Sequence, residues 1–282
     1  SIGSRGRCYL FVHHMHRKPP GGNTGPAMVG ESEVTPLRGF GDTASQRPKN
    51  WKEADQMGWP EPQYSSEEVR VEMQRGFLRK VYSILTCQLA MTVAVCYAIM
   101  MHPAINSFVV HSGGLMLCCL FASLGLIVAL NACKNSYPTN MWLLAAFTFV
   151  ESITVGAVCA HYERHGVGEL VAVAWGITLG IFCFLTLYVV LSKKDFSFLG
   201  MFLPAALLGF CIFSLVSLLF GFHLGWFFAF GGAVLFSAFI VYDTWMIMNR
   251  MGCDDFVIAV VELYLDIINL FFMVLQMLSN DR

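Results

Sequence analysis

The stretch VELYLDIINLFF, residues 261–272, decides how this chain is read. It has the apolar density of a bilayer-crossing helix, yet it carries Glu262, Asp266 and Asn269 with no lysine or arginine among them. Spacing of i, i+4, i+7 puts the three polar residues on one helix face. The surrounding run, 256–278, contains fifteen Leu, Ile, Val or Phe residues. These favour insertion by roughly 5 to 9 kcal/mol, and two acids oppose it by about 5 to 7 kcal/mol. Asn269 and Gln276 bring the sum close to zero. A helix balanced in this way does not choose lipid alone. It is expected at the centre of a bundle, surrounded by the other membrane helices, with its polar face inward. A re-entrant hairpin is the other arrangement such a sum allows.

Six more apolar runs precede it, at about 81–101, 112–133, 139–161, 169–191, 197–220 and 225–248. Each is close to the ~20 residues needed to cross a bilayer. The expected fold is therefore an all-α membrane protein of seven transmembrane helices, with the last, acid-containing helix central. Composition agrees. The chain is 56% hydrophobic with mean hydropathy +0.59. Its 13% charged residues fall well below the ~25% of soluble domains. The lipid bilayer is the first partner implied. A net charge of −1 and no arginine-rich stripe exclude nucleic acid as an expected one.

Lysine and arginine placement sets the expected orientation. Arg75, Arg79, Lys80, Lys134, Lys193, Lys194 and Arg250 fall on one side of the seven spans, and Arg164 and Arg282 on the other. The N-terminus is accordingly expected in the cytosol. Residues 1–65 are polar and include PPGGNTGPAMVG (19–30), the composition of a disordered tail. HHMHRK (13–18) reads as solvated basic tail rather than a metal site. Met28 and Met57 are alternative starts to a chain that begins at Ser1. Residues 66–282 form the expected membrane domain. Cys87, Cys96, Cys118, Cys119, Cys133, Cys159, Cys183 and Cys211 lie in or beside apolar runs, where cysteine acts as a small hydrophobe. Gly176 and Gly180 form a GxxxG in the fourth run, expected to pack closely within the molecule or, less directly, to form a dimer face. Asp254 and Asp255 are expected to place favourable charge at the start of the last helix.

Four carboxylates lie within the apolar runs: Glu151, Asp243, Glu262 and Asp266. A helix rise of about 1.5 Å per residue puts all four in the cytosolic half of the membrane. Three chemistries suit them. They can be hydrogen-bonded groups that hold the bundle together. They can bind and pass a hard cation such as calcium, for which oxygen ligands are suited. Two carboxylates in contact titrate as a unit, which would make such permeation pH-sensitive without histidine. Alternatively, Asp243 and Asp266 can form an aspartyl dyad that hydrolyses peptide bonds. Intramembrane aspartyl proteases carry Gly-x-Gly-Asp on the second helix, whereas this chain has Leu263-Tyr264-Leu265-Asp266.

Several segments match one family in order: RGFLRKVYSILTCQL (75–89), SLGLIVAL (123–130), FTFVESITVG (147–156), LSKKDFS (191–197), FIVYDT (239–244) and LYLDIINLF (263–271). Over about 66–279 the chain resembles the Bax inhibitor (transmembrane BAX inhibitor motif) family, Lifeguard group. The resemblance implies a seven-helix fold with the last helix central and residence in Golgi or endoplasmic reticulum membranes. It implies a passive calcium leak from those stores and protection against apoptosis, without enzymatic activity. No cofactor is implied, calcium being the permeant ion. Membrane proteins of apoptosis or calcium signalling are the implied partners. In bacterial relatives, paired aspartates on helices six and seven act as a pH-sensitive latch. Asp243 and Asp266 match them, and are the candidates for contact with calcium. Glu151 matches an acid on helix three of the Lifeguard group. Glu151, Glu262 and Asn269 are expected along the same route. Three positions depart. The bacterial latch also uses an arginine on helix two, but run 112–133 has no basic residue and only Lys134 at its end. Glu262 stands where relatives usually have Asn or Ser, and Trp245 where they often have Gln or His. The alternative is a non-conducting protein that restrains cell death through membrane partners.

Overall fold

Proline and glycine mark where the apolar runs stop. Pro103 lacks the N–H that would continue the first helix, and it opens a new helix behind His102, whose backbone is extended. Gly221 ends another helix in the left-handed conformation, its N–H bonded to the carbonyl of Ser217. The computed structural model describes residues 66–192, 194–221, 225–252 and 255–280, with side chains from 71. Expectations for 1–65, including the HHMHRK segment and the start of the chain, lie outside the described residues, as do those for Lys193, Asp254 and Arg282.

The described residues form eight helices and no strand. In order these are α1 (Ser66–Met101), α2 (Pro103–His111), α3 (Gly113–Cys133), α4 (Thr139–Arg164), α5 (Glu169–Ser192), α6 (Leu199–Phe220), α7 (Trp226–Asn249) and α8 (Phe256–Asn280). All but α2 are long and apolar enough to cross a membrane, so the chain is a seven-span membrane protein. The spans coincide closely with the seven apolar runs. Two features were not expected. Helix α1 begins at Ser66, well before its apolar run, so its first turns extend beyond the greasy segment. The short α2 buries Asn106 and Val109 and exposes Ile105 and Phe108; nine residues are too few for its periodicity to stand out in the sequence.

Helix α8 is the centre of the bundle. Buried residues make up 67% of its span, against 11% for α6. It packs on α7, α5 and α1 and more lightly on α4 and α3. The other spans do not surround it evenly: the backbone of α6 packs on α7 and not on α8, and α6 reaches toward the axis only through side chains such as Phe210. Close approach makes this layering possible. A Cβ at Gly232 of α7 would run into the Met273 sulfur of α8 and lie 2.9 Å from the Phe210 ring of α6. The GxxxG expectation also fails within the molecule. Gly176 and Gly180 lie on the outer face of α5, with nothing within 4 Å of where a Cβ would stand.

One ionic and one aromatic contact close the bundle end that carries Lys134, Lys194 and Arg250. Lys134, at the end of α3, meets Asp255, just before α8, at 3.3 Å. The Lys80 ammonium stands 3.2 Å from the centre of the Phe256 ring. Between α5 and α6, the Asp195 carboxylate accepts the Ser197 N–H at 2.8 Å, which holds it below the usual carboxylate range.

A buried polar chain fixes the rotation of α8. Tyr264 Oη is 2.9 Å from Thr92 Oγ1 of α1, and Ser152 Oγ of α4 donates to that same Thr92 oxygen at 3.1 Å. Gln88 Nε2 donates to Thr148 Oγ1 at 2.6 Å, one turn away. The Tyr264 ring meets Phe147 edge-on, with centroids 6.0 Å apart. Side-chain hydrogen bonds between membrane helices contribute about 0.6 kcal/mol on average and at most ~1.7 kcal/mol. Emptying the space of an aromatic ring costs about 3–5 kcal/mol. Tyr264→Phe is therefore expected to lower unfolding free energy in detergent by about 1 kcal/mol, and Tyr264→Ala by several times that amount. Equal losses from the two substitutions would show that the hydroxyl, not the ring, sets the position of α8.

Candidate functional site: a carboxyl pair on the central helix

Three of the four intramembrane acids are on α7 and α8, which pack extensively on each other. Asp243 lies on α7 and Asp266 on α8; they are 8% and 7% exposed. The two side chains lie within interaction reach of each other. Two carboxylates contain no donor, so a hydrogen bond between them requires a proton on one of them. Asp266 Oδ2 is shielded from solvent and receives no N–H or O–H from the protein. Among the described residues no lysine or arginine acts on the pair, and Lys134 is engaged with Asp255 at 3.3 Å.

Glu262 joins this pair electrostatically. It lies within reach of both Asp243 and Asp266, one turn nearer the start of α8. Its side chain is exposed rather than turned to the core, so the expectation of a wholly inward polar face is corrected at this position. The reason is helix geometry. Glu262, with partly exposed Ile258, Leu265, Asn269, Phe272, Met273 and Gln276, forms a stripe at steps of three and four. Asp266 lies at the edge of that stripe, against α7. Asn269 does not reach the pair; its Nδ2 donates to the Leu265 carbonyl at 2.8 Å, within its own helix.

Glu151 is placed elsewhere. It lies within electrostatic reach of Tyr264 and of Cys119 on α3. Tyr264 and Asp266 are two residues apart, about 200° around a helix, so Glu151 and Asp243 approach opposite flanks of α8. The four acids do not converge. Among the described residues no group of three His, Cys, Asp or Glu side chains is arranged to hold a metal ion. Asp243 and Asp266 are then two carboxyls that a cation could touch, without a closed coordination shell.

Sequence reasoning missed the Lys134–Asp255 contact, because nothing in the pattern said which acid the end of α3 would meet. It also left Trp245 open. The indole is buried against Val189 and Phe196, away from the pair, and Arg250 stands 5.4 Å from its ring. An aromatic at that position anchors the end of α5.

A seven-span bundle with two buried carboxyls facing each other on its central helices defines a class of polytopic membrane protein with a buried acidic centre. The family model described as "Inhibitor of apoptosis-promoting Bax1" matches residues 74–282. The chain belongs to this Bax inhibitor family. It is 39% identical over 210 residues to Protein lifeguard 4 of Mus musculus, covering 74% of this chain and 87% of that protein. It is 36% identical over 219 residues to the Golgi anti-apoptotic protein of Vaccinia virus (strain Lister), covering 75% and 89%. Bax inhibitor 1 of Schizosaccharomyces pombe is 35% identical over 219 residues, covering 74% and 80%.

An orphaned buried polar group costs about 1–3 kcal/mol, whereas replacing both partners by apolar groups is close to neutral. Asp243→Leu and Asp266→Leu are each expected to destabilise the protein. The double substitution should cost less than the sum of the two. Strict additivity in detergent unfolding would mean that the two carboxyls do not depend on each other.

Proposed function

We propose that the protein is a pH-sensitive passive calcium leak of Golgi or endoplasmic reticulum membranes that protects against apoptosis. One observation carries this reading: Asp243 and Asp266 are buried within reach of each other, Asp266 Oδ2 has no other hydrogen-bond partner among the described residues, and an exposed acid, Glu262, stands beside them. Anti-apoptotic action and Golgi residence are supported by the name of the viral relative. The lysine-rich end of the bundle faces the cytosol, following the placement of Lys and Arg.

The mechanism follows from the proton between the carboxyls. While it is shared, Asp243 holds α7 to Asp266 of α8. Losing it leaves two like charges in contact, which repel in a medium of low dielectric. Gaining a second proton also changes the bond that joins them. Either change alters the fit of α7 against α8 next to the partly open stripe. Glu262 gathers cations at the mouth of that stripe, and Asn269 and Gln276 give it polar side chains deeper in. Glu151 acts on the far flank of α8, through Tyr264, and not as a member of the pair. Helices α3 and α7 do not touch, so the structure has room for the stripe to widen between them. The Lys134–Asp255 pair is half-exposed and contributes at most about 1 kcal/mol, so it does not close the route by itself.

A second reading is favoured by a specific observation. No three His, Cys, Asp or Glu side chains are arranged to hold a metal ion among the described residues, and the relatives are named for their effect on cell death rather than for conduction. On this reading the protein restrains apoptosis through membrane partners, and its acids are structural. Hydrolysis is set aside on packing grounds. Leu263 and Tyr264 beside Asp266 are fully buried, which leaves no glycine-lined slot in which an extended peptide could reach the pair.

Calcium efflux from liposomes that contain only the purified protein tests the proposal. The expected result is a leak that varies between about pH 5 and pH 8, the range over which cellular switches titrate, and whose pH profile is changed by Asp243→Asn/Asp266→Asn. Liposomes no leakier than protein-free ones, with the protein folded, would transfer the case to the partner-binding reading.

A further inference from the structure

Three hydroxyls at the junction of α1, α5 and α7 are left without a bond. They are Tyr82 Oη, Thr186 Oγ1 and Thr244 Oγ1, each shielded from solvent and each lacking a hydrogen-bond partner in the protein. They are not scattered. Both threonine hydroxyls lie near enough to the Tyr82 hydroxyl to influence it, though not in the geometry of a direct bond. Thr244 is completely buried.

Threonine in a membrane helix ordinarily bonds back to the carbonyl one turn earlier. Thr86, Thr92 and Thr148 do so here, at 2.7, 2.9 and 2.9 Å. Thr186 and Thr244 do not. Both lie near a third hydroxyl contributed by α1. A single orphaned hydroxyl in a membrane core bears its full desolvation cost. Three orphans, two of them gathered around the third, share a common remedy.

A molecule that fits there must both donate and accept, and must be satisfied by about three neutral oxygens. Water makes two to four bonds to buried polar groups in sites of this kind. A calcium ion takes six to eight oxygens, carboxylates among them, and this cluster has no carboxylate. We propose that Tyr82, Thr186 and Thr244 form a binding site for one internal water molecule, which joins α1, α5 and α7. The consequence reaches the carboxyl pair. Thr244 follows Asp243, so the two side chains leave α7 about 100° apart. Asp243 is held by α8 on one side of α7, and the water would hold the adjacent residue to α1 and α5 on another. The turn that carries the acid is thereby fixed in rotation. Tyr82, Thr186 and Thr244 are positioning residues for Asp243.

Radiolytic hydroxyl-radical labelling of the full-length protein in lipid nanodiscs tests this without reference to ion flux. Protein equilibrated in ordinary water is mixed rapidly with ¹⁸O-water and irradiated at once. A trapped water exchanges slowly, so Tyr82 is expected to incorporate the original oxygen isotope. Tyr137, 76% exposed, should incorporate the new one. Thr186→Val/Thr244→Val should abolish the Tyr82 signal, and Thr186→Ser/Thr244→Ser, which keeps both hydroxyls, should retain it. The proposal is overturned if Tyr82 of the wild-type protein remains unlabelled. It is equally overturned if Tyr82 takes the bulk isotope as Tyr137 does, or if the valine variant labels as the wild type does.

Discussion

The low dielectric of the membrane interior is the constraint on which this structure depends. Two carboxyls placed there without a cation must satisfy each other or leave the bilayer. Asp243 and Asp266 are buried within reach of each other, and the consequences spread outward. Helix α8 has no stable position in lipid alone because of its acids, so it becomes the buried axis. Helix α7 must lie beside it to bring Asp243 into place. Gly232 permits that approach by leaving room for Met273 and Phe210. On the far side of α8, Tyr264 fixes the rotation by joining the Thr92 and Ser152 hydroxyls. A helix held at both flanks can present its second acid at the edge of a partly open stripe without turning it to the lipid.

The bundle is correspondingly uneven. Helices α1, α5 and α7 grip the axis, α4 packs chiefly on α1 and α3, and α3 and α6 are peripheral, each with few buried residues. Helix α3 packs mainly on α4, and a surface ion pair ties its end to the start of α8. Such a pair is weak. Free energy of holding is concentrated around the axis and thin at the periphery, and motion coupled to the acid pair would involve the periphery first.

The seven spans were legible in the sequence because hydropathy over ~20 residues is a strong signal. The central place of α8 was legible because two acids offset fifteen large apolar residues. Other features were not. The outer position of α6 depends on which face of α7 is free, and a uniformly apolar helix such as LGMFLPAALLGFCIFSLVSLLF does not declare a side. The meeting of Asp243 with Asp266 could be expected from shared depth, but depth alone also suggested that Glu151 would join them. Depth fixes height along a helix and leaves rotation free, and rotation sends Glu151 to the Tyr264 flank. The outward turn of Glu262 has the same origin. Spacing of i, i+4 puts it near Asp266, and the 40° offset between them moves one to the core and leaves the other at the rim. The three hydroxyls of Tyr82, Thr186 and Thr244 come from helices far apart in the chain, and no local pattern marks them.

The central claim is that Asp243 and Asp266 share a proton. Infrared difference spectroscopy of the protein in lipid, titrated from about pH 5 to pH 8, where protein stability commonly peaks, tests it most directly. The account predicts a carboxylic-acid C=O band that titrates as one unit in the wild-type protein and is removed by either Asp243→Asn or Asp266→Asn alone. A spectrum with no such band, or one in which each substitution removes an independent band and leaves the other unchanged, would contradict it.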